Sequence, residues 1–117
     1  MHQEEIKVSW GGDPKPTIPI KAVLVGDYMA VHKLVVDSSG TQIADLWKVT
    51  HVPSGMSVSP GFETRRNALQ FAKRLQTYGK RVGLNLRART LRGIRNGNGK
   101  GFAAWKEYRA KLISELV

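Results

Sequence analysis

A chain of 117 residues at 41% hydrophobic and 24% charged content can bury one core and is too apolar for wholesale disorder. It has no cysteine, which excludes disulfide frameworks, thiolate catalysis, cysteine-ligated zinc and iron–sulfur clusters together. Nineteen Lys and Arg against nine Asp and Glu leave a formal charge of +10, a balance that points to a polyanionic partner such as nucleic acid.

In chain order, residues 1–17 read as a flexible N-terminal lead-in, with Gly11-Gly12, Pro14 and Pro16, and residues 18–117 as one domain. Glu4 and Glu5 stand where a signal peptide would carry its apolar core. The apolar run Ala22 to Val36 is interrupted by Asp27, His32 and Lys33, too polar to span a bilayer. These features predict a cytoplasmic protein with no membrane partner. Ile20 to Val25 reads as a strand beginning just after Pro19, Gly26-Asp27 as a two-residue hairpin turn, and Tyr28 to Asp37 as the returning strand. Ser38 to Thr41 turns the chain into a third strand, Ile43 to Val52, and Pro53-Ser54-Gly55 into a short fourth, Met56 to Ser59. Strands joined by such short turns are antiparallel neighbours. Pairing Asp37 with Ile43 puts His32 opposite Lys48 and His51 opposite Met29.

Pro60-Gly61 ends the sheet, and the period changes. Thr64 is the expected N-cap of a helix that runs to Tyr78 and stops at Gly79. Ala68, Leu69, Phe71, Ala72, Leu75 and Tyr78 fall on one side of it, Arg66, Lys73 and Arg74 on the other. Val82, Leu84 and Leu86 then alternate with Arg81, Asn85 and Arg87, the period of a strand over 81–89 with a basic outer face. Leu91 to Gly101 reads as a flexible glycine-rich loop. Phe102 to Leu116 reads as a second helix, its stripe formed by Phe102, Trp105, Tyr108, Leu112 and Leu116. The expected class is α+β: an antiparallel meander sheet of three to five strands with two helices packed on one face.

Charge divides unevenly along this plan. Residues 1–62 hold five lysines against six acids, whereas residues 63–117 hold fourteen Lys and Arg against three acids. Every arginine lies at or beyond Arg65, and the guanidinium fork suits phosphate better than a lysine point charge. The expected nucleic-acid-binding residues are Arg65, Arg66, Lys73, Arg74, Lys80, Arg81, Arg87, Arg89, Arg92, Arg95 and Lys100. Catalysis is poorly supplied. Neither His32 nor His51 finds a carboxylate or metal partner across the hairpin, and His51 beside Thr50 and Ser54 lacks a third group. The acids of the first half are scattered singly, so no Mg²⁺ cluster is evident. Gly93 to Gly101 fails as a P-loop, with Ile94 at the first-glycine position and Gly101 in place of the hydroxyl residue. No enzyme activity, cofactor or metal is expected. Trp47 and Trp105 read as core residues, and Trp10 has no assigned place.

Residues 43–75 carry Trp47-Lys48-Val49-Thr50-His51, a Pro53-Ser54-Gly55 turn, Gly61-Phe62-Glu63-Thr64 and Asn67-Ala68-Leu69-Gln70-Phe71-Ala72. This order resembles the three-stranded-sheet-plus-helix pattern of AP2 domains and of the arm-binding domains of phage and transposon tyrosine recombinases. It is also similar to small uncharacterised phage proteins. The resemblance implies DNA binding and a phage or mobile-element origin, which would make the location the host cytoplasm. Those families read DNA with basic residues on the outer face of the strands. Here the strands offer only Lys33, Lys48 and His51, and the arginines lie on helices and loops. The expected function is non-enzymatic nucleic-acid binding, with duplex DNA ahead of RNA. The alternative is a phage-encoded, anti-CRISPR-like interaction module. It would inhibit a host defence or nucleic-acid enzyme by binding an acidic protein or a protein–nucleic-acid complex.

Overall fold

A computed structural model of the chain describes residues 3–9, 17–35 and 42–117. Strand β1 (Gln3–Ser9) runs antiparallel to β2 (Thr17–Val25), with Ile6 opposite Ile20 and Val8 opposite Ile18. The reading of residues 1–17 as a flexible lead-in is therefore corrected over Gln3–Ser9. Ile6 and Val8 are buried and alternate with exposed Glu5 and Lys7, the pattern of a strand with one face covered. Residues 10–16, Trp10 among them, lie outside the described residues. Pro19 sits within β2 and not ahead of it. It pairs with Lys7, whereas the ladder to β3 (Met29–Val35) covers Val23–Val25, so the missing N–H removes no bond from that second ladder.

Gly26, Asp27 and Tyr28 join β2 to β3, a turn one residue longer than expected, because Val25 pairs with Met29. Gly26 has φ +64°, and a Cβ there would collide with the Gln76 amide. That amide closes the turn: Gln76 Nε2 donates to the Val25 carbonyl at 3.1 Å, and Tyr28 N donates to Gln76 Oε1 at 2.7 Å. Strand β4 (Gln42–His51) pairs with β3 so that His32 faces Lys48 and His51 faces Met29, as the sequence pairing predicts. Beyond Lys33 the register shifts at a bulge, which puts Leu34 opposite Ile43. Asp37, the expected partner of Ile43, lies outside the described residues. Strand β5 (Met56–Ser57) completes a five-stranded antiparallel sheet in the order β1-β2-β3-β4-β5.

Apolar clusters form on both sides of this sheet. On one, Met29, Val31, Val49 and Phe62 pack against helix α1 (Arg65–Arg81) through Ala68, Phe71, Ala72 and Leu75. Trp105 and Leu112 of α3 (Gly99–Leu116) join the same core. On the other face, Ile6, Val8, Ile18, Ile20, Ala22 and Ala30 form a second buried cluster, and the sheet curls over it until β1 meets β5. The α+β class and the meander hold.

Three details beyond Pro60 differ from expectation. Thr64 caps α1 as predicted, accepting from Asn67 N at 3.1 Å, but the helix continues to Arg81. Gly79 is an interior residue, since a Cβ there would press on Trp105 Nε1 and Leu86. The expected strand over 81–89 is absent: Arg81 still belongs to α1, and the chain after it crosses the molecule without a ladder. Leu84 and Leu86 are buried and Asn85 and Arg87 exposed, so the alternation is real. Its backbone is held elsewhere, with Leu84 N donating to the Gly79 carbonyl and Asn85 N to the Ile94 carbonyl, each at 3.0 Å. The expected flexible loop 91–101 instead holds a third helix, α2 (Leu91–Arg95), capped by Thr90, and the first turn of α3, capped by Asn98.

Leu75 and Leu112 have no exposed surface. Leu75→Ala and Leu112→Ala are each expected to lower stability by about 2–5 kcal/mol in chemical denaturation. Gln76→Ala is expected to cost about 1–3 kcal/mol, because it strands Tyr28 N–H and the Val25 carbonyl under the helix.

Candidate nucleic-acid interface

No acidic residue occurs between Glu63 and Glu107. At 100° per residue, Arg66, Lys73, Lys80 and Arg81 of α1 share one sector with Gln70 and Thr77, opposite the buried Ala68, Phe71 and Leu75. The stripe runs about 22 Å from Arg66 to Arg81 at the helical rise. Arg74 lies at its margin and donates to both Glu115 carboxylate oxygens, at 3.4 and 3.3 Å. Beside it Tyr78 and Tyr108 stack with ring centroids 4.2 Å apart, and a groove of about 460 Å³ opens between α1 and α3. Lys73, Arg74 and Arg81 rim that groove.

At the other end of α1, Tyr28 joins two cations. Lys80 Nζ lies 5.4 Å from the Tyr28 ring centroid and 3.7 Å from the Asp27 carboxylate. Arg87 Nε donates to Tyr28 Oη at 3.0 Å. Arg87 and Arg89 then line a basin with Lys7. The structure thus gathers seven of the eleven expected residues, Arg66, Lys73, Arg74, Lys80, Arg81, Arg87 and Arg89, on or beside one track, and Lys7 belongs with them. Its inclusion was not foreseen, because the segment that carries it reads as a lead-in. Of the other four, Arg92, Arg95 and Lys100 are exposed on α2 and the first turn of α3. Arg65 instead lines a separate depression of about 240 Å³ with Lys21, Lys33 and Trp47.

The sheet face turned away from the helices is closed. Ala22, Ala30, His32 and Thr50 lie on it and are buried. This is the face that families of the resembled type present to DNA. Trp105 is a core residue whose Nε1 donates to the Leu75 carbonyl at 3.0 Å, and Trp47 is half-buried beneath Lys33.

The two described histidines serve the backbone. His51 is wholly buried; its Nε2 lies 2.7 Å from the Leu86 carbonyl and its Nδ1 2.7 Å from Ser54 Oγ. A carbonyl only accepts, so Nε2 carries a proton; in the neutral ring that burial favours, Nδ1 accepts from the Ser54 hydroxyl, which also lies 3.3 Å from the His51 carbonyl. His32 Nδ1 likewise donates to the Lys33 carbonyl at 2.9 Å, and its Nε2 accepts from Thr50 Oγ1 at 2.7 Å. Burial lowers both imidazole pKa values below the ordinary 6.5, against the opposing pull of the carbonyls. Burial also lowers Lys48, whose Nζ donates to the Ser59 carbonyl at 2.7 Å, and nearby Arg109 adds to that shift.

The chain matches no protein-family model, no curated protein and no solved structure.

Burial favours the neutral form of both histidines in the folded state, so the unfolded chain takes up protons at a higher pH, around 6.5. Stability is therefore full above about pH 7 and falls as the pH drops through 6.5, by at most about 1.4 kcal/mol per histidine at pH 5.5. Urea denaturation at pH 7.5 and 5.5 measures this loss. An equal midpoint at both pH values would contradict the neutral assignments.

Proposed function

We propose that the protein binds nucleic acid without catalysing a reaction, chiefly through phosphate contacts along the α1 stripe, with duplex DNA ahead of RNA. The observation that carries this reading is the acid-free stretch between Glu63 and Glu107, whose cations face solvent. Among the described residues, only Arg74 and Lys80 of that stretch form ion pairs. Exposed charges contribute little to folding, and a surface that serves solubility alone mixes both signs. Such an excess on a rigid helix is suited to a polyanion. Duplex is favoured over single strands because single-strand recognition needs exposed aromatic rings on which bases stack. Among the described residues, the large apolar side chains that are fully exposed are Leu24, Leu91 and Val117, none aromatic. A phage or mobile-element origin, and with it the host cytoplasm, rests on the resemblance of residues 43–75.

One observation favours the interaction module as a second reading. The groove beside stacked Tyr78 and Tyr108 combines aromatic rings with Lys73, Arg74 and Arg81, a composition typical of anchors for a protein partner. An acidic protein would suit it.

About six phosphate contacts give a log–log salt slope near −5 on duplex DNA. Replacing Arg66, Lys73 and Arg81 together with Gln is expected to flatten that slope by roughly two to three units. The thermal midpoint should not move. Neutralising Arg92, Arg95 and Lys100 is expected to weaken binding in the same way, with stability held within about 0.5 kcal/mol of wild type. A wild-type protein that takes up no duplex or RNA near physiological salt, while a nuclease-treated pull-down recovers one acidic protein, decides for the second reading.

A further inference from the structure

We propose that the basin bounded by Lys7, Arg87 and Arg89 is a phosphate seat, the place where one phosphate group of a bound strand is held by more than diffuse charge. The proposal rests on the nucleic-acid reading for its ligand and on geometry for its site. The basin is about 630 Å³, within the range of cavities that accept small ligands, and among the described residues its lining contains three cations and no acid. Those cations come from distant parts of the chain. Lys7 stands on β1, opposite Pro19, and Arg87 and Arg89 lie in the segment that follows α1. The turn between β4 and β5, Val52 to Gly55, supplies the wall between them.

Two features make this a built site. The first is a common tether. His51 holds the Leu86 carbonyl with Nε2 and the Ser54 hydroxyl with Nδ1, so one buried ring fixes the turn on one side and the residue before Arg87 on the other. Ser54 Oγ in turn accepts from Met56 N at 3.1 Å, which stiffens the turn. The second is the pose of Arg87. Its Nε donates to Tyr28 Oη, Asp27 attracts it electrostatically from nearby, and neither terminal amino group forms a hydrogen bond or ion pair among the described residues. An arginine anchored through Nε keeps its two outer nitrogens for a forked contact with two phosphate oxygens. Arg89 and Lys7 likewise form no ion pair among the described residues. Tyr28 also carries Lys80 over its ring, so the seat continues the charge of α1. Among the described residues, Asp27 is the acid that stands between the stripe and the basin, paired there with Lys80.

The ligand chemistry is a phosphate group, whether an internal phosphodiester or a terminal monoester, and two measurements separate the sources. The first is titration of isotopically labelled protein with inorganic pyrophosphate, followed by amide NMR. Saturable shifts are expected at Ser54, Gly55, Arg87 and Arg89 and at Lys7, and they should vanish in the variant Lys7→Gln/Arg87→Gln/Arg89→Gln. The second is anisotropy on a blunt duplex with 5′-hydroxyl or 5′-phosphate ends. The variant is expected to lose affinity on the order of tenfold or more and to flatten the salt slope by two to three units. A wild-type preference for the 5′-phosphate that the variant lacks marks the terminal group as the occupant; equal binding of both duplexes marks the backbone. An unchanged thermal midpoint shows that the variant is folded, and Arg89→Gln alone repeats the test if it is not. Pyrophosphate shifts spread evenly over Arg66, Lys73 and Arg92 overturn the seat, as does a variant that keeps the wild-type slope while the α1-stripe variant loses it. In that case the nucleic-acid reading stands. A wild-type protein that binds no duplex overturns that reading instead, and the pyrophosphate map alone then decides the seat.

Discussion

His51 Nε2 donates to the Leu86 carbonyl at 2.7 Å inside the core, and the placement of the basic half of the chain depends on that bond. Residues 82–90 leave α1 without entering a helix or a ladder, so their backbone groups need partners from elsewhere. Side chains of other elements supply several of them. Asn98 Nδ2 donates to the Val82 carbonyl at 2.7 Å while Asn98 Oδ1 accepts from Gly101 N, which ties the end of α1 to the start of α3. Gln76 does the same for the β2–β3 turn, and Trp105 Nε1 reaches the Leu75 carbonyl. A buried backbone group left without a partner costs about 1–3 kcal/mol, so these few side chains specify the path as strongly as apolar contacts do. The tethers lie under the surface; the cations they position lie on it.

Much of the sheet is legible in the sequence because its signals are local. Period-two runs, Gly26-Asp27 and Pro53-Ser54-Gly55 predict β3, β4 and β5, and their pairing predicts His51 opposite Met29. The apolar stripe of α1 and its Thr64 cap are local signals too. The errors arise where one pattern has two causes. Leu84 and Leu86 alternate with exposed neighbours because an extended segment lies across the core, and burial alone produces the same alternation as a strand. Whether a partner strand exists is a long-range fact. Gly79 reads as a stop, yet it is small because Trp105 and Leu86 press on it. The glycines after Leu91 read as slack, yet Asn96 and Gly97 at φ +54° and +67° close α2, and Gly101 leaves room for Asn98 and the Val82 carbonyl.

The site was legible in kind and less so in arrangement. Composition identifies the arginines as the outlying feature, but only the fold groups them. Lys7 joins Arg87 and Arg89 because β1 curls round to β5, a closure that depends on Ile6 and Val8 finding Ile18 and Ile20. Glu4, Glu5 and the Gly-Pro-rich residues that follow obscure that strand in the sequence. Arg65 illustrates the reverse: adjacent to Arg66 in sequence, it turns a third of the way round the helix and borders the sheet.

The curled sheet also accounts for where the charge can sit. Over β3 and β4 one face packs on the helices and the other closes over the second cluster, so neither offers room there for a cationic stripe. Lys48 shows the difficulty: on the closed side it is half-buried, satisfied by the Ser59 carbonyl, with its ammonium disfavoured by burial. Cations therefore fall on the outer faces of the helices and on the segments between them. There the long side chains remain hydrated and the backbone beneath is rigid. That separation lets His51, Gln76 and Asn98 hold the fold while Arg66, Lys73, Arg87 and Arg89 remain available to a partner. Exchanging the second set should alter binding with little effect on folding, whereas exchanging the first should move both, because the second set is positioned by the first.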